Sequence, residues 1–459
     1  MRERAINSWA DTWADVRRSF ADFLAVPAAT VCAFLLLAAG TYLLDRNTVG
    51  PLEPVREFLK EHFLADQDTT ESFLGVIAGG MITLTSITFS LLLLAVQQSA
   101  GSLTTQVLDQ FLRRRLNQFY FGVFVGVTLY ALGILATNST AVTPVFGSVV
   151  ALALTMFALG VLVFLLYTTL NQMRANRIIE AIHDLTIRAR ERQHSLLRRT
   201  RRIPRLTTAP VVVPVLADNN GYVAHLHLDR LAKVAHAARG EVEVTLHVRL
   251  GSYVCFHDIV AEVRAQTMAD ADALRDAVLH ALDLERQRNF HIDAAYGVTQ
   301  LSTIGWTSIS SAKSNPSPAL ASLRNLRDLV ARWSEEPSPS VTQEDDAVPV
   351  PVVYHDTVLA GVLDAFESLA VASAESRQHQ SYAEILNSLA RMFDRVPDTL
   401  RARMEDVIRR VLPLSVDHAP TADVDEALGR LVDTLDAAGR TDAASAAQRA
   451  RAAMEGRRG

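Results

Sequence analysis

The residues best suited to chemistry lie in a few short stretches. In FLGVIAGGMITLTSITFSLLLLAVQQSAG, residues 73–101, hydroxyls stand at Thr83, Thr85, Ser86, Thr88 and Ser90 within a run that has no ionisable side chain. Uncharged hydroxyls can line a wet path, or they can join small residues in a tightly packed helix seam. At helical pitch Ser72, Gly75, Gly79, Thr83, Ser86, Ser90 and Gln97 fall within about 80° of one face, whereas Thr85 and Thr88 lie nearly opposite. Gly122, Gly126 and Gly133 form a second small-residue series further on. The continuous face is expected to be a packing seam between two neighbouring antiparallel spans. A polar lining that draws on either face is the alternative.

Three histidines form the next constellation. His225, His227 and His247 are expected on the polar side of adjacent strands, with Asp229 nearby. Alternate strand residues project together and imidazole is a good zinc ligand, but no fourth ligand follows at a telling spacing. Surface histidines are therefore the working assignment, and no metal is expected. Arginines cluster at Arg113, Arg114 and Arg115 and again from Arg188 through Arg198, Arg199, Arg201, Arg202 and Arg205. Such clusters can contact lipid phosphates or simply fix the direction of insertion. Glu53, Glu57 and Glu61 make a carboxylate row, but Arg56 and Lys60 sit among them and favour a self-paired face.

No Walker loop, dinucleotide fingerprint, HExxH pattern or nucleophile elbow is present. Ser, His and Asp show no diagnostic local arrangement. Triads assemble in space, which leaves catalysis formally open, but nothing points to an enzyme and no cofactor is expected. Two cysteines far apart, Cys32 and Cys255, imply no disulfide framework. The formal charge of −5 gives no reason to expect a nucleic-acid partner.

The elements that must position these residues begin with four apolar runs, about 23–44, 73–96, 119–137 and 144–170. Each is long enough to cross hydrocarbon, and none holds Asp, Glu, Lys, Arg or His. The flanks orient them. Arg2, Arg4, Arg17 and Arg18 precede the first run; the first loop, Asp45–Ser72, has seven acidic residues against three basic; the second loop carries Arg113–Arg115; the third has no charge; and the arginine cluster follows the fourth. Lys and Arg therefore alternate sides as the positive-inside rule requires, which predicts cytoplasmic termini. Residues 1–22, with Trp9 and Trp13, read as an interfacial amphipathic helix retained in the mature chain. A short amphipathic helix is expected in the first loop. An ion-coupled transporter usually buries an ionisable residue in its spans, and these runs contain none.

Residues 171–459 have the composition of a soluble, α+β cytoplasmic region. A basic connecting helix (171–207) leads to a small β-domain (208–265). There Asn219–Gly221 reads as a hairpin turn, and EVEVTLHVRL alternates, with Val242, Val244 and Leu246 inward and Glu243, Thr245 and His247 outward. A helix from about Met268 to Asn289 precedes an apolar helix broken near Ser314-Asn315-Pro316, within a segment 266–333. A Pro- and acid-rich linker (334–352) and a helical bundle of four or five helices (353–459) complete the chain. The order GYV…GSYV…IV looks like the barrel-sandwich folds of lipoyl- and biotinyl-type domains, without the lysine that those domains modify.

Four spans, FSLLLLAVQQSAGSLTTQVLDQFLRRRLNQFYFGVFVG, GYVAHLHLDRLAKVA, GSYVCFHDIVAEV and YGVTQLSTIGWTSIS together resemble a bacterial family of predicted membrane proteins catalogued as a domain of unknown function. The resemblance extends to about Trp333. The family pattern has Asn-Asp-Pro after the apolar helix where this chain has Ser314-Asn315-Pro316, so an acid is missing here. The resemblance implies the membrane topology and transfers no catalytic residue. Two functions follow from the residues: a membrane-anchored scaffold or signalling protein that docks a cytoplasmic protein partner, or an oligomeric, channel-like protein capped by its cytoplasmic region. Four helices alone make a poor conduit, so the second requires a homo-oligomer.

Overall fold

In hydrocarbon an apolar run can satisfy its backbone only within a helix or a closed barrel, and the four runs here are helices. The structure, a computed structural model, describes residues 2–46, 53–63, 67–102, 115–138, 144–172, 175–310, 316–335 and 350–456. The chain forms two compact units, 1–174 and 175–459. In the first, α1 (Arg2–Arg46), α3 (Gln67–Ser102), α4 (Arg115–Thr137) and α5 (Val145–Gln172) supply stretches long and apolar enough to cross a membrane: Leu24–Arg46, Asp68–Ser90, Gln118–Thr137 and Val145–Thr168. Helix α2 (Glu53–Phe63) is the short helix expected in the first loop.

One boundary differs from expectation. The interfacial helix and the first span are one 45-residue helix that runs through Pro27. Helix α4 lies at the centre and packs on α1, α3 and α5. Of the third span 56% is buried, against 11% of the first. Its inner residues Tyr120, Phe124, Val127, Tyr130 and Ile134 interlock with Leu74, Ile77 and Met81 of α3 and with Ala151, Ala158 and Leu165 of α5. Outward-facing residues such as Leu36, Val76, Phe157 and Val163 are large, apolar and exposed. A surface of that kind matches lipid tails and not water.

The second unit opens with α6 (Ala175–Arg199). The helix is basic but not simply solvated: Ile179, Ile182, Thr186, Ala189, Gln193 and Leu196 are buried at helical spacing. It packs against α9 (Ala294–Ser310) and α10 (Ser317–Ser334). Gly297 permits this approach, since a methyl group there would overlap the Thr186 side chain.

The β layer consists of two sheets. Strands β1 (Val211–Leu216), β5 (Ile259–Ala265), β3 (Val242–Leu246) and β7 (Val352–Val353) form one in the order β1-β5-β3-β7. Strands β4 (Tyr253–Val254), β2 (Gly221–Leu226) and β6 (Leu282–Glu285) form the other in the order β4-β2-β6. Both sheets and α8 (Met268–Ala281) share one apolar core, which includes Val215, Val223, Val244, Val254, Val263, Leu274 and Val278. Helix α7 (Leu228–Ala237) adds Leu228 and Leu231 to it.

Four expectations are corrected here. The Asn219–Gly221 turn does not close a hairpin: β1 pairs with β5 and β2 with β4 and β6, so the turn passes the chain from one sheet to the other. The helix begun at Met268 stops at Ala281, and Leu282–Glu285 continues as strand β6. The outward position assigned to Glu243 is wrong. This carboxylate is fully buried and accepts bonds from the Arg201 side chain (3.2 Å) and the backbone N–H groups of Arg205 (2.8 Å) and Leu206 (3.3 Å). With three donors a buried carboxylate is satisfied. The end of the expected linker is not loose: Val350 and Val352 are buried, and strand β7 begins at Val352 and pairs in parallel with β3, Val244 opposite Val352. Helices α11 (Val358–Glu375), α12 (His379–Phe393), α13 (Asp398–Val411), α14 (Ala422–Ala437) and α15 (Thr441–Glu455) form the helical end around Phe366, Tyr382 and Phe393.

Candidate functional site

The hydroxyl-rich second span turns its two faces to different surroundings. Gly75, Gly79, Thr83, Ser86 and Ser90 are exposed. A Cβ added at Gly75 or Gly79 would meet nothing within 4 Å. The opposite face points inward: Thr88 is buried, and the Thr85 hydroxyl lies 3.3 Å from that of Thr128 on α4. Gly122 and Gly126 are closely approached, but by α1. A Cβ on Gly122 would fall 2.8 Å from Thr30 Cβ, and one on Gly126 would overlap the Phe34 ring. The residues expected in a single seam thus divide between an open face of α3 and a tight contact of α4 with α1.

A polar cluster missed by the sequence reading joins the ends of three spans. Asp45, fully buried, accepts from the backbone N–H groups of Phe146 and Gly147, both at 2.9 Å. Those groups belong to the first turn of α5, which has no intrahelical acceptor for them, so Asp45 caps that helix from a distant part of the chain. The Tyr130 hydroxyl stands 3.0 Å from that of Thr41 and 3.2 Å from the carbonyl oxygen of Gly147. The signal that could have found it is an acid directly at the end of an apolar run.

The three histidines do not converge. His225 and His227 lie at the end of β2, with rings 6.2 Å apart, and His227 Nε2 is 2.7 Å from Asp283 Oδ2. His247 follows β3 in the other sheet, because the two strands are not neighbours. Among the described residues no group of three or more His, Cys, Asp or Glu side chains is placed to hold a metal ion. Of the arginines, Arg113 and Arg114 lie outside the described residues, and Arg115 begins α4. Arg199 pairs with Asp229 at 2.5 Å, and Arg201 with Glu243. Arg198 and Arg202 are exposed. Ser314 and Asn315 lie outside the described residues, while Pro316 immediately precedes α10.

A second buried cluster lies where α9 and α11 begin. Asp293 caps α9 by accepting from Tyr296 N–H at 3.0 Å and pairs with Arg288 at 2.7 Å. Burial pushes its carboxyl above the usual range, against the pull of Arg288. Asp356 accepts from the Val358 N–H at the start of α11 and pairs with Arg190 at 2.8 Å. Between them Tyr354, whose hydroxyl accepts from Leu250 N–H, is pushed up to about 12 by burial. These acids cap helices and are matched by arginines.

The fold is therefore that of a membrane protein with four apolar spanning helices followed by a largely helical α+β unit. The chain belongs to the family described as "Predicted membrane protein (DUF2254)", whose model matches residues 21–390. It is 22% identical over 282 residues to an uncharacterized protein of Mycobacterium bovis and, at the same identity and length, to one of Mycobacterium tuberculosis. Each alignment covers 59% of this chain and 54% of the relative, so the chain spans about half the length of the curated relatives it matches. No solved structure matches.

Proposed function

We propose that this is a membrane-anchored scaffold or signalling protein of the bacterial inner membrane, in which four spans hold a cytoplasmic unit that docks a protein partner. The observation that carries this reading is the filled interior of the spanning bundle. Phe124, Val127, Tyr130 and Met81 are completely buried, and the hydroxyls of Thr41 and Tyr130 and those of Thr85 and Thr128 bond to one another within the bundle. An interior of that kind suits anchoring better than conduction. The alternation of basic flanks supports cytoplasmic termini, with the exposed Arg198 and Arg202, together with Arg113–Arg115, as contacts for lipid phosphates. The exposed Cys255 offers a test of placement. With Cys32 replaced by alanine, a membrane-impermeant maleimide should label Cys255 only after the membrane is opened; labelling in intact spheroplasts contradicts the orientation.

The open hydroxyl face of α3 supports a second reading, an oligomeric channel-like assembly in which Gly75, Gly79, Thr83, Ser86 and Ser90 of neighbouring copies line or seal a path. Ion flux from reconstituted vesicles separates the two.

A further inference from the structure

The second unit holds a cleft of about 720 Å³ between α9 and α11, in the range of small-molecule sites. Its chemistry is graded along its length. At one end stands Arg249, exposed, whose guanidinium forms no ion pair among the described residues. The first turn of α11 (Thr357, Val358 and Gly361) lines the same cleft, its Val358 N–H already held by Asp356. The nearby carboxylates are already matched, Asp293 by Arg288 and Asp356 by Arg190. Arg249 therefore leaves an uncompensated positive charge there.

The middle of the cleft is lined by hydroxyls on one face of α9. Thr299 donates to the Ala295 carbonyl oxygen (2.9 Å) and Thr303 to that of Thr299 (2.8 Å). With their protons committed, both present lone pairs to the cleft and can accept from a ligand's hydroxyl or amine groups. Across from them Arg403 grips both oxygens of Asp364 at 2.7 Å, a pair that adds no net charge but leaves carboxylate lone pairs for further donors. At the far end Trp306 is 48% exposed and offers an indole surface. From Ala295 to Trp306 the helix rises about 16 Å.

We propose that this cleft binds a nucleoside phosphate: an anionic group on Arg249, hydroxyl donors on Thr299, Thr303 and the Asp364 carboxylate, and a flat ring on Trp306. Planar guanidinium recognises phosphate in two-point fashion, and an exposed indole stacks on any base. This goes beyond the anchoring role and does not depend on the side of the membrane that the unit faces.

The test uses the full-length protein in nanodiscs, titrated with the mono- and diphosphates of adenosine, guanosine, uridine and cytidine. Binding is read by ligand-observed NMR and tryptophan fluorescence. At least one should saturate below about 1 mM, with its free nucleoside and inorganic phosphate each bound at least about tenfold more weakly. Arg249→Ala should weaken that binding about tenfold or more, Arg249→Lys less so, and Trp306→Ala should abolish the fluorescence response. Both side chains are exposed, so thermal midpoints should not move. Absence of saturation by all eight up to about 5 mM overturns the proposal. So does unchanged affinity in Arg249→Ala, or phosphate alone binding as tightly as the nucleotide.

Discussion

The carboxylate of Asp45, at the end of the first span, holds the backbone N–H of Gly147, in the first turn of the fourth, at 2.9 Å. The chain thereby ties its first and last spanning helices together at one end of the bundle. Replacing the acid exposes the cost of this tie. Asp45→Ala removes the acceptor of the buried Gly147 N–H, worth about 1–3 kcal/mol when left unpaired, and that of the half-buried Phe146 N–H. The thermal midpoint of the detergent-solubilised protein should fall clearly, and by less in Asp45→Asn, which keeps one acceptor.

The glycines of α3 and α4 should respond oppositely to bulk. Gly126→Leu drives a side chain into Phe34 and should destabilise the monomer by about 1–3 kcal/mol or prevent its folding. Gly79→Leu meets open space and should leave the melting midpoint of the monomer unchanged. Sedimentation of both variants in detergent adds a second readout: if copies associate through the open α3 face, Gly79→Leu dissociates them without unfolding them.

Glu243 is expected to be among the least replaceable residues of the second unit. Glu243→Ala leaves Arg201 and two backbone N–H groups without their shared acceptor, at about 3–5 kcal/mol for a broken buried pair. Chemical denaturation followed by circular dichroism measures the loss, and Thr245→Ala on the same strand should cost far less.

His418 gives the helical end a pH dependence. The ring is buried, stacks on Tyr382 at 4.2 Å and faces His379 at 3.3 Å, with the Asp417 carboxylate as an opposing charge. Burial and then His379 lower it to about 4, below the usual value near 6.5. A base whose folded pKa is lowered is neutral when folded while the unfolded chain takes up a proton. Its contribution is therefore full above about pH 6.5 and is lost progressively as pH falls towards 4, by about 3 kcal/mol in all. His418→Phe should flatten that part of the stability–pH curve, as measured by denaturation between those limits.

The spanning helices were legible because length and lack of charge are local properties. What lies against each face is not. Helical geometry separates Thr83 from Thr85 correctly, but only packing reveals that Thr85 turns inward to Thr128 while Gly79 faces outward. The Asn219–Gly221 turn was recognisable as a turn, yet strand pairing is set by distant segments: β5 and β7 complete the sheet that β1 and β3 begin. For the same reason His247 could not be placed relative to His225 from spacing alone. Alternation identified Val242, Val244 and Leu246 as inward and failed at Glu243, because the donors that make its burial tolerable come from Arg201 to Leu206. Asp45 reads locally as a loop acid, and its partner is about a hundred residues away.

In the proposed function the four spans anchor and do not conduct. Voltage-clamp recording of the full-length protein in planar bilayers, with and without applied tension, tests it most directly. The packed core around Phe124, Val127 and Tyr130 predicts a silent membrane. Discrete, protein-dependent currents that change when Thr83, Ser86 or Ser90 is replaced by leucine would contradict it and establish the channel reading.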